Sequence, residues 1–113
     1  MRRDELYLTD IIEAANAIDR FLAGVSKEAF LQDELRQSAV LQKLMIIGES
    51  AARISAELRE QHPEVEWRDI DIVAFRNFAI HAYFDVDWRI VWTTAILDVP
   101  SLREQITEIM AGL

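Results

Sequence analysis

Between positions 76 and 83 the chain reads Arg76-Asn77-Phe78-Ala79-Ile80-His81-Ala82-Tyr83, placing four polar or ionisable side chains in a mostly apolar stretch. Histidine titrates near neutrality and exchanges protons at physiological pH. Arginine stays charged, and its planar fork suits phosphate oxygens. Burying either one unpaired costs on the order of several kcal/mol. These groups therefore either share partners as a buried polar cluster that holds helices in register, or line a cleft. Residue types alone leave both open. At about 100° per residue, Arg76 and His81 differ by roughly 140° around an ideal helix. Asn77 shares a face with His81, and Arg76 with Tyr83. For Arg76 and His81 to act at one point, the helix loosens before Tyr83, Arg76 reaches round, or two copies of the segment meet across a dimer axis.

Other polar and aromatic residues have plainer readings. His62, before Pro63, suits a helix C-terminus, where the dipole favours a cation. Glu49 lies mid-helix in an apolar neighbourhood, as a carboxylate paired with Arg76 or Arg53 or as a group that positions Arg76. Trp67, Trp88 and Trp92 fit core anchors better than stacking platforms. Asp85 and Asp87 fit helix capping better than metal ligation, because no third carboxylate or histidine has suitable local spacing. No metal site and no cofactor is expected.

The elements that must carry these groups are helical nearly throughout. Leu8, Ile11, Ile12, Ala15, Ile18, Phe21 and Leu22 recur at steps of three and four, with Asp10, Glu13 and Asp19 on the opposite face. Asp4 is a candidate cap for this first helix and Gly24 its stop. Ser26 caps a short turn. One long helix is predicted from about Asp33 to Gln61, ended by His62-Pro63. Its run Leu44-Met45-Ile46-Ile47 is apolar on all sides, which calls for burial or a partner chain. Gly48 there suits a close backbone approach. Trp67 opens a fourth helix through Ile70, Val73, Ala74, Phe75, Phe78 and Ala79. A fifth carries Trp88, Val91, Trp92, Ala95 and Ile96. Pro100 opens a last one through Leu102, Ile106 and Met110. The expected fold is an all-α, up-and-down bundle of five to six helices, forming a single domain over residues 1–113.

Composition narrows the function classes. The chain has 113 residues, 51% of them hydrophobic, which excludes intrinsic disorder. With 3 Gly and 2 Pro, it has too few turn formers for a many-stranded sheet. With no Cys, disulfide scaffolds, thiolate metal sites and cysteine nucleophiles are excluded. The net charge of −8 argues against sequence-blind DNA binding but leaves room for a local phosphate site. No apolar run suits a signal peptide or a membrane span, so a soluble, cytoplasmic protein is expected.

The order arginine, four residues, histidine, one residue, tyrosine at Arg76, His81 and Tyr83 resembles the signature of the HepT-like branch of the HEPN superfamily, also called DUF86. Asn77 after the arginine fits it too. The resemblance runs along nearly the whole chain: Ile47-Gly48-Glu49-Ser50-Ala51, His62-Pro63, Trp67, the stretch from Val86-Asp87 to Trp92, and Val99-Pro100-Ser101-Leu102. It implies a small helical homodimer that is the toxin of a type VII toxin–antitoxin pair and a metal-independent endoribonuclease. It further implies an antitoxin that is a minimal nucleotidyltransferase (MNT), which silences the toxin by AMPylation of the motif tyrosine, here Tyr83.

The residue types suit that chemistry. RNA supplies its own nucleophile, the 2′-OH, so cleavage needs a proton acceptor, a proton donor for the 5′-oxygen, and positive charge on the phosphorane. His81 is the acid–base candidate and Arg76 the transition-state stabiliser, with Asn77 orienting His81 or holding a phosphate or base. The expected products are a 2′,3′-cyclic phosphate and a 5′-hydroxyl. Across residues 67–92, Arg68, Arg76 and Arg89 face Asp69, Asp71, Asp85 and Asp87. RNA binding is therefore expected to be weak or confined to a narrow arginine-lined groove. The alternative is a non-catalytic helical subunit that holds a nucleotide or substrate for a nucleotidyltransferase.

Overall fold

The structure is a computed structural model and describes residues 2–67 and 86–113. The described residues are all-α, with no strand among them. Helix α1 spans Arg2–Leu22 and buries Leu8, Ile11, Ala14, Ala15, Ile18 and Leu22. Asp10, Glu13 and Asp19 stay exposed on its other side. The helix stops where expected: Gly24 takes φ +74°, a left-handed conformation that glycine adopts without a Cβ penalty.

Ser26 caps α2 (Lys27–Phe30), its side chain accepting from the Ala29 N–H. Asp33 caps α3 (Glu34–Arg53) by accepting from the Arg36 N–H at 3.1 Å. The Arg36 Nε donates to the Phe21 carbonyl at 2.9 Å, tying the start of α3 to the end of α1. The two helices then pack along each other, and α1 also packs against the last helix. Within the run 44–47, Leu44 and Ile47 are fully buried, Ile46 is half-buried and Met45 is 36% exposed. Gly48 is buried.

Two expectations are corrected here. Asp4 does not cap α1. It lies inside the helix's first turns, 2% exposed, and accepts from the Ser55 N–H at 2.9 Å and the Ser55 hydroxyl at 2.7 Å. The long helix does not run to Gln61. It ends at Arg53, Ile54 turns to extended backbone (φ −63°, ψ 138°), and Ser55 caps a separate helix α4 (Ala56–Gln61) by accepting from the Leu58 N–H. A serine that serves both the new helix and a buried carboxylate outweighs continuation of α3.

Pro100 stands in the first turn of the last helix, as expected. The spacing did not show that α5 (Trp88–Thr93) passes through a π turn (Thr94–Asp98) straight into that helix, α6 (Val99–Ala111). Helical φ and ψ persist through Thr93, Thr94, Asp98 and Val99, and the Val99 N–H donates to the Thr94 carbonyl. A proline inside a regular helix clashes with the carbonyl four residues back, and a wider turn there accommodates it. The π turn also changes which residues face inward. Thr94 and Ala95 are buried, while Ile96, expected in the fifth helix's apolar stripe, is 41% exposed.

Candidate active site

Arg76, Asn77, His81 and Tyr83 lie outside the described residues, as does Asp85. The described residues on either side define what the segment between them is attached to. On the N-terminal side, His62 ends α4 as its C-cap, as expected. Its Nδ1 lies 3.2 Å from a Glu64 carboxylate oxygen. The Glu64 carboxyl is held below its ordinary range, first by a hydrogen bond from its own backbone N–H and further by the imidazole of His62. Gln105 on α6 donates to the Glu64 carbonyl at 3.3 Å, and Val65 is buried.

Trp67 closes this loop. It is 7% exposed, and its indole N–H donates to the His62 carbonyl at 2.9 Å. The guanidinium of Arg59 lies over its ring, 5.9 Å from the centroid, and also donates through Nη2 to the Ala51 carbonyl near the end of α3. Arg59 is a residue that the sequence pattern did not bring forward. Its contact joins two segments across the Pro63 loop, and no local spacing signals such a contact.

On the C-terminal side, Asp87 caps α5 by accepting from the Arg89 N–H at 3.0 Å, in line with its expected capping role. Trp88 and Trp92 sit half-buried against Phe30, at ring-centroid separations of 6.4 and 5.5 Å. Phe30 itself is fully buried. All three tryptophans therefore belong to the core or pack on it, as the anchor reading expects. Val65, Trp67 and Val91 are members of one apolar cluster, so both flanks of residues 68–85 are fastened to the same core.

Glu49 on α3 is half-exposed, and its carboxylate is 4.0 Å from the Arg53 guanidinium one turn on. That is the Arg53 pairing expected from sequence, in a wetter setting than a buried carboxylate. Its relation to Arg76 falls outside the described residues. Among the described residues no three His, Cys, Asp or Glu side chains gather as metal ligands. No helix among them is long and apolar enough to cross a membrane.

The family model described as "Ribonuclease HepT-like" matches residues 11–109. A protein of Thermococcus cleftensis named "Probable ribonuclease HepT" is 42% identical over 97 residues, covering 86% of each chain. "Putative RNase TTE0752" of Caldanaerobacter subterraneus subsp. tengcongensis is 34% identical over 110 residues, 97% of this chain and 96% of its own. "Putative RNase MJ1380" of Methanocaldococcus jannaschii is 33% identical over 106 residues, 93% of this chain and 95% of its own. No solved structure gives a significant match. The chain belongs to the HepT-like ribonuclease family.

Proposed function

We propose that this chain is a metal-independent endoribonuclease, the toxin of a type VII HEPN/MNT pair. The observation that carries this is the family match over residues 11–109, which spans the sequence stretch holding Arg76, Asn77, His81 and Tyr83. His81 exchanges the protons of the 2′-OH and the 5′-oxygen, Arg76 holds the phosphorane charge, and Asn77 orients His81 or binds a phosphate or base. Glu49 acts from behind by positioning Arg76. The antitoxin is an MNT-type nucleotidyltransferase that AMPylates Tyr83.

The same reading makes the chain an up-and-down HEPN-like bundle in one domain, active as a homodimer. Two copies of the 76–83 segment then supply two histidines to one cleft, one as base and one as acid, and relieve the roughly 140° divergence of Arg76 from His81 on one helix. Support for a partner face comes from Met45 and the half-buried Ile46 on α3. Light scattering at micromolar concentration is expected to give twice the chain mass, and a monomer mass refutes the dimer.

The deciding experiment is cleavage of a defined RNA by the purified chain with EDTA present. Products ending in a 2′,3′-cyclic phosphate and beginning with a 5′-hydroxyl are expected. A chain that leaves RNA intact, or that cleaves only after a divalent cation is restored, refutes the mechanism.

A further inference from the structure

We infer that the groove between α1 and α3 is the face on which two copies of this chain meet, seated head-to-tail about a two-fold axis and selected by charge. This deepens the dimeric reading above and rests on it, not on the chemistry of RNA cleavage. The groove has a volume of about 460 Å³. Asp4 meets Ser55 at one end of the helix pair and Phe21 meets Arg36 at the other, so α1 and α3 run antiparallel. The charges that line the groove are sorted along that direction. In order from the Ser55 end they read Asp10, Glu13, Lys43, Arg20: acids first, then bases. None of them forms an ion pair with another described residue. The lining between them is apolar, with Ala14 and Ala17 as small, buried floor residues and the half-buried Ile46 on the α3 side.

A closed pair of identical chains requires that the shared surface be its own complement. A two-fold axis through the stretch from Ala14 to Ala17 meets that condition. Asp10 and Glu13 of each copy then come against Arg20 and Lys43 of the other. The small floor side chains let the two α1 helices approach, and Ile46, with the exposed Met45 beside it in the chain, supplies apolar area. A same-sense pairing would set acid against acid and base against base, and like charges across an interface exclude it. The pattern does not fit RNA, because the carboxylates cancel the attraction of the cations for a phosphate backbone.

The test uses a pair of charge-reversed chains: one carries Asp10→Lys with Glu13→Lys, the other Lys43→Glu with Arg20→Glu. Asp10, Glu13 and Arg20 are exposed and Lys43 is half-buried, so both chains should fold, as circular dichroism checks. Sedimentation at micromolar concentration reads their mass. The parent is expected as a dimer and each reversed chain alone as a monomer, its self-association weakened by about 100-fold or more. Mixed in equal amounts, the reversed chains should pair with each other to within about 10-fold of the parent affinity, because each altered half then meets its opposite. Native mass spectrometry identifies that mixed dimer by its mass. If either reversed chain fails to fold, Glu13→Lys and Arg20→Glu alone carry the same mixing test. A parent dimer whose reversed chains stay dimeric overturns the inference and leaves a dimer through another face standing. Reversed chains that stay monomeric when mixed also overturn it. A monomeric parent overturns both the inference and the dimeric reading.

Discussion

The carboxylate of Asp4 holds Ser55 by two hydrogen bonds across 51 residues of sequence, one from the backbone N–H at 2.9 Å and one from the hydroxyl at 2.7 Å. The same hydroxyl oxygen accepts from the Leu58 N–H and so starts α4. One contact thus fastens the beginning of α1 to the junction between α3 and α4.

Removing that carboxylate strands a partly buried N–H and loosens the cap. Asp4→Ala is expected to destabilise the fold by about 2–4 kcal/mol, because bonds to a charged acceptor are worth more than neutral ones. Urea unfolding, read as a shift of midpoint at constant slope, measures it. Glu5→Ala, next door but exposed, serves as the control and should stay within about 0.5 kcal/mol.

Phe30, the last residue of the short helix α2, is fully buried against the tryptophans of α5. Phe30→Ala opens a cavity there and is expected to cost about 3–5 kcal/mol. Trp88 and Trp92 should then gain solvent exposure, seen as a red-shifted fluorescence in the folded variant. A parent-like spectrum and midpoint contradict this packing.

Asp33 gives an acid-side prediction. Its carboxyl lies below the ordinary aspartate range, first because the Arg36 side chain donates to it, then because the Arg36 backbone N–H does. A depressed folded value means that the stabilisation is present above the unfolded aspartate value and is lost as pH falls through the folded one. Asp33→Asn should therefore remove part of the stability decline below about pH 4 while keeping the cap. Thermal midpoints of both proteins from pH 7 to pH 3 test it. Parallel curves contradict it.

In the proposed mechanism Arg76 and His81 act in the transition state. Arg76→Ala and His81→Ala are each expected to lower RNA cleavage by about 100- to 1000-fold or more, with the fold intact by circular dichroism. Two variants that cleave RNA like the parent would sink the mechanism.

Tyr83 is the proposed control point. AMP on its hydroxyl places bulk and negative charge close to Arg76 in sequence, occupying the arginine fork and repelling the RNA backbone. Tyr83→Phe keeps the ring and loses the acceptor oxygen. It should gain no AMP-sized mass when incubated with a cognate nucleotidyltransferase, ATP and magnesium. Intact-mass spectrometry showing the parent's additions on the variant places the modification elsewhere.

The helix starts at Ser26, Asp33 and Asp87 were legible because a side-chain cap is a local event, settled within three or four residues. The break at Ile54 and Ser55 was not. Nothing in the apolar spacing of residues 33–61 demands it, and the carboxylate that fixes Ser55 lies on another helix. Asp4 misled for the same reason: an acid near a helix start reads as a cap until a distant donor claims it. The candidate catalytic groups were legible as types in order, at Arg76, Asn77, His81 and Tyr83. The Arg59 contact was hidden, since it reaches Trp67 across the Pro63 loop.

The π turn at Thr94–Asp98 works as a phase adjuster between two stretches of one continuous helix. Upstream, Val91 and Ala95 face the core; downstream, Val99, Leu102, Ile106 and Ile109 do. The turn holds one residue more than an α-helical turn would. The extra residue is taken up in about the same rotation as an ordinary turn, so deleting one residue from it would let a regular helix form with the buried row on α6 still facing α1. The cost left over is the ring of Pro100, which would then meet a regular helical carbonyl. The same deletion within α6 itself would rotate everything beyond by about 100° and swing the buried row away from α1. The π turn is therefore the one place in this helix where the chain can lose a residue without turning its core face outward.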